Sequence, residues 1–220
     1  MQGKILKLSD KVFAPLSIKT SEGKMLYAEY VGEIDANSSK IRFDIRDIKS
    51  NGVVIYRFTE VDSKSDIAAI TNRRCEVVIP AKSEYEQDKI VGTMTLCWDS
   101  SLFFKNLRVI MVLNDIKYTM YYFNMGKSGV KLPIYEEGKQ VGLVEKLTNT
   151  EKGHHSYDLY AINEMYSDIV VLMASFFHIT RVEIPDAYGC FGKSCGLITR
   201  LSSRKPDSVI YNFDFKDKCQ

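Results

Sequence analysis

The stretch Ala187–Cys195, AYGCFGKSC, contains A-x-x-x-x-G-K-S, a relaxed form of the phosphate-binding loop with Ala187 in place of its first glycine. In such a loop backbone amides cradle phosphate, and the lysine and serine serve the terminal phosphate and a magnesium ion. That chemistry needs a buried parallel strand leading in and a helix starting at Lys193-Ser194, so that its N-terminal amides face the anion. TRVEIPD supplies a possible strand, but CGLITRLSSRKPDS is a poor helix, with Gly196 early and Pro206 ending it. The short remainder after Ser194 leaves no room for further parallel strands or a magnesium-holding carboxylate. Nucleotide binding at 187–194 is therefore the minor alternative, and a Gly-rich turn the favoured one. A second GKS, Gly126–Ser128, falls in an expected hairpin loop and shows how cheaply the tripeptide arises.

Histidine and cysteine chemistry is weakly supported. His154 and His155 are adjacent in the polar loop NTEKGHHS, and neighbours on an extended chain point apart, which suits solvated loop residues better than a shared metal. His178 closes an apolar run. It is expected to be a core histidine satisfied by a carbonyl, or a helix C-terminal cap facing the dipole; as a general base it has no visibly paired nucleophile. The five cysteines, Cys75, Cys97, Cys190, Cys195 and Cys219, are odd in number and irregularly spaced, a poor disulfide framework. Cys190, Cys195 and Cys219 form one loose pair and a stray, whereas structural zinc takes two close pairs; free or buried thiols are the expectation. No H-E-x-x-H or G-x-S-x-G signature is present, and neither cofactor nor metal is expected.

Basic residues offer a different chemistry. Arg73 and Arg74 are adjacent, and Lys193, Arg200, Arg204 and Lys205 follow with no acid between the first and the last. Such a cluster suits anionic lipid headgroups, each charge near a membrane surface contributing about 1 kcal/mol. These six residues are the candidate lipid-binding set, and a solvated charged face is the alternative. The whole chain is balanced, with 30 basic and 28 acidic residues and a net charge of +2, so nothing draws it globally to nucleic acid, and no nucleic-acid partner is expected. MQGKILKLSDKVF lacks the apolar core of a secretory leader, and no apolar run approaches the roughly 20 residues that span a bilayer. The expectation is a soluble, cytoplasmic protein in a reducing compartment.

The elements that must position these groups are mostly strands. KIRFDIRDI puts Ile41, Phe43 and Ile45 on one face and Arg42, Asp44 and Arg46 on the other, the period of a half-buried strand. Asn51-Gly52, Asn114-Asp115 and the turn at Gly138 read as tight hairpins. MLYAEYVGEI, VVIYRF, CEVVIP, KIVGTMTLCW, LRVIMVL, IKYTMYYF, KLPIYEE, KQVGLVEKL and SYDLYAI complete, with KILKL, some ten to twelve short strands. SDIVVLMASFFHI breaks the rhythm. Its length favours helix, Ser167 or Asp168 is the candidate N-cap, and Ser175 and His178 alone interrupt its apolar surface. A helix apolar all round must be enclosed by protein, and a sheet closed around it also removes its own edges.

Residues 131–179, from KLPIYEEGKQVGLVEKL through YDLY to the apolar helix, resemble the C-terminal half of a LURP-one-like unit. Strands in this number followed by such a helix are similar to the tubby C-terminal-like superfamily, which includes the LURP-one-related and phospholipid scramblase families. The resemblance implies a barrel around a central helix, and, since tubby-type domains engage phosphoinositides, a membrane-facing role. The chain runs on past the helix, near which the superfamily usually ends; SVIYNFDF in this extension alternates well enough for an added strand, with a docked arm as the other expectation.

The expected fold is thus mainly β: an antiparallel barrel of about 10–12 strands around a buried helix at 168–179, forming one domain over 1–184, with an extension over 185–220. The expected function is a non-catalytic binding or scaffold domain for anionic lipid or a protein partner. The alternative is an enzyme or small-molecule binder with a pocket made by strand loops, as in lipocalin-like barrels.

Overall fold

The computed structural model describes residues 2–7, 15–20, 23–31, 42–61, 74–100, 105–124, 130–146, 156–182, 212 and 214–219. Among the described residues thirteen strands follow one another: β1 (Gln2–Lys7), β2 (Leu16–Thr20), β3 (Met25–Tyr30), β4 (Arg42–Asp47), β5 (Val53–Glu60), β6 (Arg74–Ile79), β7 (Lys89–Ser100), β8 (Lys105–Leu113), β9 (Ile116–Tyr121), β10 (Phe123–Asn124), β11 (Val130–Glu136), β12 (Lys139–Lys146) and β13 (Ser156–Ala161). Among the described residues one α-helix, α1 (Ser167–Val182), comes after them.

From β1 to β9 and from β10 to β13 each strand pairs antiparallel with the next, β9 pairs antiparallel with β11, and β13 pairs antiparallel with β1. The two-residue β10 continues β9: both lie against β11 in one register, Met120 opposite Ile134 and Phe123 opposite Lys131. The sheet is thus a closed up-and-down barrel of twelve strands, within the number expected from the turn spacing. Register shifts between Ile45 and Arg46, Val77 and Val78, and Ile134 and Tyr135 supply local bends that help a sheet to curl shut.

Three hairpins turn as their residues demand. Asn51-Gly52, Asn114-Asp115 and Glu137-Gly138 all hold positive φ at both positions, the backbone of a type I′ turn that matches strand twist. Asparagine, aspartate and glycine tolerate that region best, which is why two of these turns are so legible.

Alternation along the strands directs Ile5, Leu16, Ile18, Leu26, Ile45, Phe58, Val77, Met94, Met111, Met120, Ile134 and Leu159 inward, all of them buried. Every position of α1 from Ile169 to Ile179 is buried as well, the polar Ser175 and His178 included. Its contacts come from all round. Phe176 faces Phe58 of β5, with ring centroids 6.1 Å apart. Phe177 stacks on Tyr122, between β9 and β10, at 6.0 Å. His178 meets Tyr157 of β13, and Val170 lies against Gly142 of β12. The helix is the filling of the barrel. Each leucine, isoleucine, valine and phenylalanine side chain from Ile169 to Ile179 contributes about 1.5–3 kcal/mol by leaving water.

The start of the helix departs from expectation. A 3₁₀ turn, Glu164–Tyr166, already leads into it, and the extended residue is Asn163. Ser167 has helical dihedrals (φ −57°, ψ −53°), so it is not an N-cap. Asp168 is not one either: its carboxylate leaves the backbone for Lys24 Nζ (3.2 Å) and the Tyr56 hydroxyl (3.0 Å). The end of the barrel at which α1 starts, with the β2–β3, β4–β5, β8–β9 and β11–β12 turns, is the proximal end below. Among the described residues, no helix is long and apolar enough to cross a membrane.

Candidate functional site

Of the six candidate lipid-binding residues, Arg74 alone is among the described ones. It is the first residue of β6, opposite Thr95 of β7, and exposed. Arg73, Lys193, Arg200, Arg204 and Lys205 lie outside the described residues, as do the loop at 187–194, His154, His155, Cys190 and Cys195.

His178 is a core residue, as one of its readings had it, and its Nδ1 faces a side-chain hydroxyl. The Tyr157 hydroxyl lies 3.0 Å from Nδ1, both groups are buried, and the rings meet edge to face. It is not a C-terminal cap, because α1 continues to Val182. Cys75 and Cys219 are buried and Cys97 is half-buried, and none of the three forms a disulfide. No group of three histidine, cysteine or acidic side chains among the described residues is placed to hold a metal ion.

Beside the buried Tyr157–His178 pair, clusters of charged side chains lie on the outer wall and at the proximal end. Two outer sites were hidden in the sequence. In the first, Asp44 projects outward from β4 yet its side chain is only 1% exposed. Arg57, directly opposite on β5, donates to it from Nε (2.8 Å) and a terminal nitrogen (3.2 Å). Arg46 donates to the same carboxylate (3.3 Å) and, through Nε, to Glu29 (2.7 Å), while Asp88 lies 3.7 Å from Arg57. Asp44 pushes the Arg57 guanidinium further toward its charged form. Four acids and bases of neighbouring strands thus satisfy one another, and the alternation of KIRFDIRDI with VVIYRF is the signal that could have found them.

The second outer site is a seat for the chain's own C-terminal segment. Residues 214–219 run through a turn into a 3₁₀ helix, Lys216–Lys218, so that the strand expected of SVIYNFDF does not extend into them. They rest on β12, β13 and β1, where two outward cross-strand rows run side by side. One is apolar, Pro133–Leu143–Tyr160, ending at Gln2; the other is charged, Lys131–Glu145–Asp158–Lys4. Phe215 and Cys219 pack on Leu143, Tyr160 and Ile162. Lys216 forms an ion pair with Glu145, which also receives Lys131, and its ammonium sits 5.3 Å from the centre of the Tyr160 ring. Gln2 donates to the Cys219 carbonyl (3.5 Å), and the Asn212 amide donates to Gln140 Oε1 (3.4 Å). Leu143, outward-facing in a barrel wall, is consequently 0% exposed.

At the proximal end Tyr166 donates to Glu136 (2.6 Å), which holds the phenol in its protonated form and pushes its pKa up to about 12. Burial and the Asp168 carboxylate raise that of Tyr56 as well. The same end carries exposed apolar side chains from several turns: Met25, Ile48, Val53, Ile90, Ile116 and Met165, the last 72% exposed. No protein-family model, curated protein or solved structure matches the chain.

Proposed function

We propose that this protein is a non-catalytic, cytoplasmic binding domain of the tubby-like kind that works from its outer surface, with an anionic membrane as its ligand. The observation that carries this reading is the burial of α1 at every position from Ile169 to Ile179. A barrel filled by its own helix gives a small molecule little lumen to enter, in contrast to lipocalin-like barrels, and moves recognition outside. A closed barrel followed by an apolar internal helix also supports the kinship with the tubby-like superfamily. The membrane as ligand is supported by the acid-free cationic run Lys193–Lys205 and by the exposed Arg74. Binding would be electrostatic and hence weakened by salt.

The test is flotation of the full chain with phosphatidylcholine vesicles, with and without phosphatidylserine or phosphoinositide, at low and high salt. Salt-sensitive recruitment to the anionic vesicles is expected, reduced by Arg74→Glu. Equal behaviour on neutral and anionic vesicles removes the membrane from the reading.

A protein partner is the second reading, favoured by the exposed apolar side chains at the proximal end. Met25 and Ile48 are neighbours there, joined by a backbone hydrogen bond of 3.1 Å, and both are more than a third exposed.

A further inference from the structure

The seat of the C-terminal segment has the build of a recognition site. We infer that the outer wall of β11, β12, β13 and β1 is a peptide-binding groove, filled in cis by residues 214–219 and open to a protein partner that presents an aromatic residue followed by a lysine. This goes beyond the membrane reading and does not depend on it.

Three features carry the inference. First, the two cross-strand rows give the wall an apolar half and a charged half, and the segment matches them with adjacent residues, Phe215 on the first and Lys216 on the second. Glu145 and Asp158 stand directly opposite each other in the charged row, an arrangement of like charges that is unfavourable until cations flank it. Lys131 from β11 is one such cation and Lys216 another.

Second, recognition rests on side chains. The segment does not add a strand to the sheet, and its described main-chain ties run to the side chains of Gln2 and Gln140. A guest therefore needs no particular register, only the aromatic and ammonium anchors at adjacent positions. Lys216 lies over Tyr160 as well as against Glu145, so a lysine is held by an ion pair and by an aromatic face together.

Third, the occupant belongs to the same chain. A tethered segment faces its seat at an effective concentration in the millimolar range, so it keeps out weak or scarce competitors. A partner gains access when its own segment is abundant, binds tighter, or is anchored elsewhere on the barrel. Cis occupancy thus sets a threshold.

The probe is a fluorescein-labelled peptide of residues 212–220 with Cys219→Ser, titrated by fluorescence polarisation into the full chain and into the full chain carrying Phe215→Ala and Lys216→Glu. We expect the peptide to bind the doubly substituted chain at least about tenfold more tightly than the wild type, as cis competition requires. A peptide with Phe215→Ala or Lys216→Glu should bind neither. In the wild-type chain, excess peptide should speed alkylation of the buried Cys219, followed by mass spectrometry of the C-terminal fragment. Equal affinity for both chains, or no binding to either while circular dichroism shows both folded, overturns the inference. Should the substitutions unfold the chain, the wild-type arm decides: a Cys219 alkylation rate indifferent to peptide overturns it. A negative flotation result leaves this groove standing, and a negative peptide result leaves the membrane reading standing.

Discussion

Tyr157 and His178 join the wall of the barrel to its filling: a β13 phenol hydroxyl lies 3.0 Å from a helix imidazole nitrogen, with both side chains out of reach of water. Tyr157→Phe keeps the ring and removes the hydroxyl, leaving Nδ1 without that partner. The expected loss is about 1–3 kcal/mol of folding stability. Urea denaturation followed by far-UV circular dichroism measures it; an unchanged midpoint would mean that the pair does not help to hold the helix.

Gly142 faces inward on β12, where a Cβ would sit 2.6 Å from Val170 Cγ2 and 3.3 Å from Ile134 Cδ1. Gly142→Ala forces wall and helix apart and should cost about 1–3 kcal/mol. Val170→Ala alone leaves a void and also destabilises, but it vacates the space the new methyl needs. The double variant should therefore lose less than the sum of the two. Simple additivity in a thermal or urea series would contradict this packing.

Asp44 serves two arginines from a nearly closed site on the outer wall. Asp44→Asn removes the charge while keeping the shape, and it strands two guanidiniums that remain partly exposed. A cost of about 1.5–3 kcal/mol is expected, the range for hydrogen bonds to charged groups. High salt should shrink this cost little, because the carboxylate itself is shielded from solvent ions. A loss that vanishes in concentrated salt would make the cluster an ordinary surface ion pair.

Alkaline pH should loosen the proximal end. The folded chain holds the Tyr166 proton up to about 12, whereas an unfolded tyrosine releases it near 10.0. The folded state therefore binds this proton more tightly than the unfolded one. The associated stability is complete below pH 10.0 and drains as the pH rises toward about 12. Tyr56, raised in the same sense beside Asp168, adds to the decline. Denaturation midpoints taken across this window should fall for the wild type and less steeply for Tyr166→Phe. Identical slopes would contradict the Tyr166–Glu136 contact.

The legible parts of the fold are those governed by neighbours in the chain. Asn51-Gly52 and Asn114-Asp115 announce their turns because few residues accept positive φ, and the apolar run at 169–179 announces enclosure because no face of it suits water. What stayed hidden depends on distant residues. Ser167 and Asp168 suit an N-cap by residue type, yet a 3₁₀ turn from Glu164 leads into α1, Ser167 already has helical dihedrals, and Asp168 is claimed by Lys24 and Tyr56 from two other parts of the wall. At the end of SVIYNFDF, Asp214 and Phe215 form a turn, with Phe215 held by Leu143 and Tyr160; Ser208–Tyr211 and Phe213 lie outside the described residues. Asp44 reads as a solvated strand residue until Arg57 is seen opposite.

Sealing the ring by pairing β13 with β1 has a consequence for biosynthesis. While this chain leaves the ribosome, β1 cannot meet its second neighbour until nearly all the other strands have emerged, and the helix that must lie within follows later still. Throughout that interval the inner faces of the finished hairpins present bare hydrocarbon along open edges, the condition under which nascent chains stick to one another or enlist a chaperone.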